Sequence, residues 1–182
     1  MRESVLYIAS SLDGFIADPS GNIDWLLAFD ASKSSYPSFI DKVDTIVMGH
    51  TTYMQLITQL SPNVWPYAGK EVYVASRQSH AGDTGITFVQ DPVKLVEQLK
   101  NKEGKIIWIV GGAKLITSLL EADLIDTLIL TLAPLTIGQG IALFPRQSVR
   151  FELTDVRAYP PFAELTYKIN KIRREEKNEA LG

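Results

Sequence analysis

Residues 105–122 constrain the fold of this chain more than any other stretch. They begin with Lys-Ile-Ile-Trp-Ile-Val, an almost unbroken apolar run of the kind found in strands that are buried on both faces. Gly111 and Gly112 end this run. A helix is predicted directly after the glycines, because apolar residues follow at helical spacing, namely Leu115, Ile116, Leu119 and Leu120.

The turn at Gly111 and Gly112 has two interpretations. A strand that passes through glycines into a helix leaves free backbone N–H groups at the positive end of that helix, where phosphate groups bind. The pair is equally compatible with a simple tight turn. The sequence does not extend to the G-x-G-x-x-G dinucleotide motif, and it contains no P-loop. If a nucleotide binds here, we expect a different kind of sheet to hold it.

Length and charge favour one globular domain whose main partner is not a nucleic acid. The chain has 182 residues, of which 46% are hydrophobic, enough for one full-sized core. We place the domain at residues 1–171 and a polar tail, in which Lys and Arg mix with Glu, at residues 172–182. The net charge of −3 and the lack of a basic stripe argue against nucleic acid as the main partner.

The sequence also predicts a cytoplasmic protein without a metal. The lack of cysteine excludes disulfides, thiolate catalysis and cysteine-ligated metals, and it fits a reducing compartment. Two histidines, His50 and His80, do not suggest a metal cluster. The N-terminal apolar run is broken by Asp13, which excludes a signal peptide. No apolar run approaches the roughly 20 residues of a membrane span, so no membrane contact is expected.

Strands and helices alternate along most of the chain. Strands are predicted at residues 4–9, 44–48, 71–75, 86–89, 105–110 and 126–132. Helical segments are predicted at residues 23–29 and 35–43, from about 51 to 60, after Asp91-Pro92, and at 113–122. Two further strands, residues 150–158 and 163–171, form an antiparallel pair. This pattern indicates a three-layer α/β fold, with a mainly parallel sheet between helices on both faces.

Three strand ends carry residues that suit a ligand, and ligands collect at the carboxyl ends of parallel strands. Gly111-Gly112 is the first. Gly49-His50-Thr51-Thr52 is the second, where a Thr either caps the helix or binds a phosphate. Ser76-Arg77 is the third, either an ordinary strand exit or a site for a 2′-phosphate, which would favour NADP over NAD.

Carboxylates surround the loop after the first strand. Asp13 precedes Gly14 in an ordinary turn sequence, and Asp24 and Asp30 follow it. By themselves, Asp13 is most simply a turn residue and Asp30 a residue on a helix surface. No Ser-His-Asp arrangement can be argued from the spacing.

Taken together, the motifs resemble those of the dihydrofolate-reductase-like superfamily. They are most similar to the riboflavin-biosynthesis reductase (RibD C-terminal domain) type, in its form without a deaminase domain. The segments that carry the resemblance are Ala-Ser-Ser-Leu-Asp-Gly-Phe-Ile-Ala at 9–17, Val-Met-Gly-His-Thr-Thr-Tyr at 47–53, Val-Ala-Ser-Arg at 74–77, Ile-Val-Gly-Gly-Ala-Lys-Leu at 109–115, Leu-Ala-Pro at 132–134 and Gly-Gln-Gly at 138–140.

The resemblance implies a site for NADPH. Backbone groups of Ala9 and Ile16 would hold the nicotinamide carboxamide. The remaining cofactor-binding residues that it implies are Gly49, His50, Thr51 and Thr52 for one phosphate, Gly111, Gly112, Ala113, Lys114 and Leu115 for the pyrophosphate, and Ser76 and Arg77 for the 2′-phosphate and adenine. His50 stands where the family usually has Arg.

The resemblance further implies an NADPH-dependent reductase. It would transfer hydride to a small pterin- or pyrimidine-like compound, as a 5-amino-6-(5-phosphoribosylamino)uracil reductase does, and it would be a homodimer. The resemblance offers two candidates for the catalytic acid and does not decide between them. Asp13 lies in the Ser-Leu-Asp-Gly motif, where a buried carboxylic acid could orient or protonate a substrate, and Asp30 follows Trp25 at a spacing like that of the acid in folate reductases. The departure at His50 and this undecided acid leave an alternative open. In that alternative the protein binds a nucleotide or pterin on the same fold without turnover.

Overall fold

The computed structural model describes residues 1–30, 32, 34–78, 85–144 and 148–169. Its strands are β1 (Ser4–Ser11), β2 (Phe15–Ala17), β3 (Val43–Gly49), β4 (Glu71–Ala75), β5 (Ile86–Val89), β6 (Ile106–Gly111), β7 (Thr127–Ala133), β8 (Ile141–Ala142), β9 (Phe151–Tyr159) and β10 (Phe162–Ile169). Its α-helices are α1 (Asp24–Leu27), α2 (Tyr36–Ile40), α3 (His50–Gln55), α4 (Pro92–Lys100) and α5 (Ala113–Glu121).

Eight strands form one twisted sheet in the order β5-β4-β3-β6-β1-β7-β10-β9. The first six strands in this order are parallel to one another, and β10 runs antiparallel to both β7 and β9. This confirms the predicted parallel sheet with an antiparallel C-terminal pair. The parallel strands therefore place their carboxyl ends along one edge of the sheet.

Helices cover both faces of the sheet, as predicted. On one face, α4 and α5 contribute apolar side chains such as Val96 and Ile116 to a core with Leu6 and Ile109. On the other face, α2 and α3 contribute Phe39 and Tyr53, among others, to a second core. Burial on both faces explains why the inner strands are nearly continuous apolar runs.

Several predicted boundaries differ from the observed ones. β1 continues two residues beyond its predicted end, because Ser10 and Ser11 still pair with β7 and are buried. Residues 15–17, predicted as part of a loop, form β2 because they pair with β8. The helices predicted at 23–29 and 35–43 shorten to single turns, α1 and α2. The helix expected from 51 to 60 begins at His50, and its last five residues, Leu56–Leu60, are π-helical.

Some predictions fall outside the described residues. These concern His80, the end of the last strand at Lys171 and the polar tail at 172–182. Within the part of the chain that is described, no helix is long and apolar enough to cross a membrane.

Candidate active site at the carboxyl edge of the sheet

The sheet opens between two neighbouring strands at its carboxyl edge. Along the described part of β1, the ladder with β6 ends where Leu6 lies opposite Ile109, whereas the ladder with β7 continues to Ser11 and Ala133. In a parallel sheet, alternate residues direct their N–H and C=O groups to the same side. Because the carbonyl of Glu3 bonds to β6, the backbone groups of Ala9 also face that side, where the ladder has ended.

Two helices begin next to this opening, because α5 follows β6, which borders the opening, and α3 follows β3, the next strand beyond β6. Gly49 precedes α3 and Gly112 precedes α5, and neither helix start has a side-chain cap. A methyl group at Gly49 would lie 3.6 Å from the carbonyl oxygen of Gly111 and 3.6 Å from the amide nitrogen of Gly112. A methyl group at Gly112 would lie 3.6 Å from the hydroxyl of Thr52. The two helix starts therefore face each other across a short gap, with their N–H groups available to an anion.

The glycine pair predicted from the sequence has a specific backbone. Gly111 has a φ of +125°, in the region that side-chain-bearing residues rarely adopt. The peptide bond between Gly111 and Gly112 is cis. Gly111 thus ends β6 in a conformation that strains any other residue.

The remaining residues at the two helix starts differ in what they offer. The hydroxyl-bearing Thr52 is half-buried and Thr51 is exposed. His50 is half-buried, with its ring 6.5 Å from that of Phe88. Lys114 is exposed, so its ammonium group can approach an anion.

Leu115 differs from the other predicted cofactor-binding residues. Its side chain is buried in the core beneath α5, together with Ile116 and Leu119. Only its backbone N–H, in the first turn of the helix, can face a ligand. Ala113, at the first position of the same helix, is half-buried.

Ser76 and Arg77 follow β4, the strand beside β3 in the sheet. Ser76 is half-buried, its N–H donates to the carbonyl of Val89 at 2.9 Å, and its hydroxyl accepts from the N–H of Gln78 at 3.2 Å. Arg77 is exposed and forms no ion pair with any residue that the structure describes. Its guanidinium group can therefore reach a ligand that extends along the carboxyl edge.

Asp13 is exposed rather than buried, and its carboxylate joins two loops. It accepts hydrogen bonds from the hydroxyl of Ser11 at 2.5 Å, from the N–H of Gly138 at 2.7 Å and from the N–H of Ile137 at 3.2 Å. The bond from Ser11, followed by those from the two backbone N–H groups, lowers the pKa of Asp13. Asp13 is therefore ionised near neutral pH and anchors the loop that contains Gly138 and Gly140.

Asp30 lies apart from these bonds. It is exposed, and it accepts from the hydroxyl of Ser32 at 2.6 Å and from the N–H of Ser32 at 3.0 Å. This arrangement is an Asx-type turn. The segment from Asp30 to Ser35 connects α1 to α2 and also carries a contact to the β10 strand, through the N–H of Ser35.

A buried carboxylate that the sequence analysis did not select lies on the same edge. Glu164, at the start of β10, is 4% exposed. Its Oε2 accepts a hydrogen bond from the hydroxyl of Tyr7 at 2.9 Å, with the hydroxyl of Thr131 and the N–H of Ser35 each at 3.4 Å. Burial, together with the negative charge of Glu164, raises the pKa of Tyr7. The hydroxyl of Tyr7 therefore stays protonated and donates a hydrogen bond to Glu164.

This edge of the sheet does not resemble a metal centre. Among the residues that the structure describes, no three His, Cys, Asp or Glu side chains lie close enough together to hold a metal ion. The edge does combine open backbone groups at Ala9, two facing helix starts and a buried carboxylate. These features suit an anionic organic ligand with a planar polar group.

Known proteins share this arrangement of strands and helices. A putative riboflavin biosynthesis protein from Shewanella sp. PV-4 is 28% identical, with a TM-score of 0.79, and the match covers 93% of this chain and 99% of that one. RibD of Acinetobacter baumannii is 22% identical with a TM-score of 0.73, over 93% of this chain and 58% of that one, and this likeness shows the fold alone. The fold is therefore the dihydrofolate-reductase-like fold of RibD reductase domains.

Sequence comparison leads to the same family. The Bacillus subtilis (strain 168) protein called uncharacterized protein YwjB is 41% identical over 147 residues, which are 79% of this chain and 83% of that protein. The RibD C-terminal domain family matches residues 4–163. That range includes both helix starts, the opening beside Ala9 and strands β1 to β9. The chain belongs to the RibD C-terminal domain family.

Proposed function

We propose that the protein is an NADPH-dependent reductase of the riboflavin-pathway type, acting on a small pterin- or pyrimidine-like compound. The observation that carries this proposal is the pair of uncapped helix starts that face each other across Gly112 and Thr52. A dinucleotide has one pyrophosphate, which such a pair can bind from two sides. The reductase-type family of the chain supports the oxidoreductase class.

The residues present fit a dinucleotide cofactor. Gly112 has no side chain, so the space between its backbone and the hydroxyl of Thr52 is open; an added methyl group would already contact that hydroxyl at 3.6 Å. A phosphate can therefore come close to the backbone N–H groups at this helix start. The backbone of Ala9 faces the opened side of β1 and suits a planar carboxamide. In the proposed assignment one phosphate is bound at the start of α3, by Gly49, His50, Thr51 and Thr52. The other phosphate is bound at the start of α5, by Gly112, Ala113, Lys114 and the N–H of Leu115. The nicotinamide is held by Ala9 and Ile16.

When bound, NADPH supplies the hydride, and the protein supplies orientation. The helix starts fix the pyrophosphate, and the opening beside β1 fixes the ring plane of the nicotinamide. Asp13 orients the edge of this pocket by holding the N–H groups of Ile137 and Gly138. Catalytic roles for Asp13 and Asp30 stay predictions, which turnover by Asp13→Asn and Asp30→Asn variants would test.

Arg77 provides the test for the choice of cofactor. A guanidinium group pairs strongly with a phosphate, so Arg77→Ala should weaken NADPH binding about 10-fold while leaving the affinity for NADH unchanged. Titration of tryptophan fluorescence with each cofactor measures both constants. Lys102→Ala, which removes an exposed cation near the opposite edge of the sheet, is the matched control and should leave NADPH binding unchanged.

Two results would count against this assignment. Equal losses of NADPH and NADH affinity in Arg77→Ala would remove the 2′-phosphate role of Arg77. A wild-type protein that does not bind NADPH at millimolar concentration would overturn the reductase proposal as a whole. NADPH binding without oxidation of NADPH in the presence of pterin and pyrimidine compounds would favour the binding protein without turnover.

We also propose a homodimer in the cytoplasm. The support for the dimer is the sheet edge at β9, where Leu153 is 52% exposed and Val156 is 58% exposed. Leu153 lies opposite Tyr167 and Val156 lies opposite Leu165 in the ladder of β9 and β10. Leu165 and Tyr167 are on one face of β10, and a bulge that shifts the register between the two pairs brings Leu153 and Val156 to that same face. An exposed apolar face at an edge strand is a common site of subunit pairing.

A further inference from the structure

The carboxylate of Glu164 has unequal surroundings at its two oxygens. Among the residues that the structure describes, Tyr7, Thr131 and Ser35 all direct their donor groups to Oε2. Oε1 has no hydrogen-bond partner in the described part of the chain. It does retain some contact with solvent, because it is not among the fully buried atoms without a partner. A side chain that is 4% exposed therefore presents one free acceptor oxygen outward.

The position of Glu164 in the sheet relates it to the proposed nicotinamide site. Ala9 lies opposite Thr131 in the ladder of β1 and β7, and Thr131 lies opposite Glu164 in the ladder of β7 and β10. The three residues thus form one row across three strands. Neighbouring strands are about 4.8 Å apart, so Ala9 and Glu164 are about 10 Å apart. One substrate ring fits within that distance.

The face that carries this row is aromatic. Side chains alternate along a strand, so Ala9 shares its face with Tyr7 and Val5, which belong to the second core. The ring of Tyr7 stacks on Phe39 with centroids 4.8 Å apart, and Tyr36 lies edge-on to Trp108 at 5.6 Å. These rings are buried in the second core, where they hold Tyr7 in place beside Glu164. A charged acceptor in such an apolar surrounding favours a planar heterocycle with a polar edge.

We infer that Glu164 binds the substrate, and that its Oε1 accepts hydrogen bonds from the N–H edge of an aminopyrimidine or pteridine ring. This inference rests on the proposed function, because it places the substrate beside the proposed nicotinamide site. Tyr7 and Thr131 act as positioning residues, since their bonds to Oε2 fix the direction of Oε1. A carboxylate has no N–H to donate, so a ring edge made only of acceptors is disfavoured.

The test compares two probes on a conservative variant. Glu164→Gln keeps the shape of the side chain but removes the charge, and hydrogen bonds to a charged acceptor are stronger than those to a neutral one. Binding of 2,4-diaminopyrimidine, measured by isothermal titration calorimetry, should therefore weaken at least about 10-fold. Binding of 2,4-dimethylpyrimidine, which lacks N–H groups, should be the same in both proteins. Glu152→Gln on the exposed face of the neighbouring strand β9 is the matched control.

The outcomes separate this inference from the proposed function. If Glu164→Gln and the wild-type protein bind 2,4-diaminopyrimidine equally, or if the wild-type protein does not bind it, while NADPH still binds, the inference is wrong and the reductase proposal stands. If the wild-type protein does not bind NADPH, the reductase proposal is overturned instead. If Glu164→Gln does not fold, Glu164→Asp should weaken binding of 2,4-diaminopyrimidine alone, since its shorter side chain withdraws the charge.

Discussion

At the scale of single residues, Asp13 and Glu164 differ in the hydrogen-bond donors that surround their carboxylates. Asp13 receives one hydroxyl and two backbone N–H groups and lies at the surface. Glu164 receives donors on one oxygen only and is buried. Asp13 is therefore largely satisfied by the protein itself, whereas Glu164 retains capacity for a ligand.

The backbone N–H groups of Ile137 and Gly138 can be used to test their hydrogen bonds to Asp13. Asp13→Asn replaces one acceptor oxygen with a donor, so the N–H groups of Ile137 and Gly138 should exchange with solvent several-fold faster. Hydrogen exchange measured by NMR checks this. Asp18→Asn, which alters a similar turn at Ser20 and Asn22, is the control and should leave Gly138 unchanged. Equal exchange at Gly138 in Asp13→Asn and wild type would contradict the anchoring role.

The same network has a defined pH dependence. The pKa of Asp13 is lowered in the folded protein, so the stabilisation of the loop is complete above the ordinary pKa of an aspartate, 3.8. It is lost as the pH falls through the lowered pKa of the folded state. Exchange at Gly138 should accordingly become insensitive to the Asp13→Asn change at strongly acidic pH.

At the scale of elements, the short strand β2 depends on a close backbone approach. A methyl group built at Gly140 would collide with the carbonyl oxygen of Ala17, the last residue of β2. That contact cannot relax through a flexible side chain, because both groups belong to the backbone. Only glycine fits between β2 and the loop that Asp13 anchors.

Gly140→Ala should therefore destabilise the fold by about 1–3 kcal/mol, the usual cost of overpacking. Urea unfolding followed by circular dichroism measures this loss. Gly49→Ala is the matched control, because its methyl group would make only ordinary contacts at 3.6 Å, and it should change the stability by less than about 1 kcal/mol. Similar stabilities for the two variants would show that the loop moves away from β2 at little cost.

At the scale of the whole molecule, β9 leaves one edge of the sheet open to a second copy. Charges on the exposed face of this strand should prevent pairing, so Leu153→Glu combined with Val156→Glu is expected to give monomers. Analytical ultracentrifugation compares the variant with the wild-type protein. The substitutions Glu152→Gln and Thr154→Ser on the same strand should leave the dimer intact. A wild-type monomer at micromolar concentration would contradict the proposed dimer.

Much of the fold could be predicted from the sequence, because buried parallel strands are continuous apolar runs and helix starts follow glycines. Gly112 and Thr52, which we propose to face a phosphate, were recognisable for the same reason. Glu164 was not, because it alternates with Ala163 and Leu165 and so has the pattern of a solvent-facing residue. Its burial comes from contacts of the α1–α2 segment and β1, which are distant in sequence.

The position of Asp13 shows a second limit of the sequence pattern. Ser-Leu-Asp-Gly correctly indicated a turn, but not the bonds to residues more than a hundred positions later. Long-range pairing of this kind depends on the loop between β7 and β8, whose bends are not encoded in hydrophobic periodicity. Tertiary contacts therefore decided the environments of both carboxylates.

The proposed function requires a dinucleotide between the two helix starts, and the Gly112→Ala variant tests for it. The added methyl group would make ordinary contact with Thr52, so the variant should fold normally while losing space for the pyrophosphate. We predict that its Kd for NADPH, measured by isothermal titration calorimetry, rises at least about 10-fold. Lys102→Ala, which changes an exposed side chain near the opposite edge of the sheet, should retain wild-type affinity. An unchanged Kd in Gly112→Ala would contradict the binding of a dinucleotide between the two helix starts.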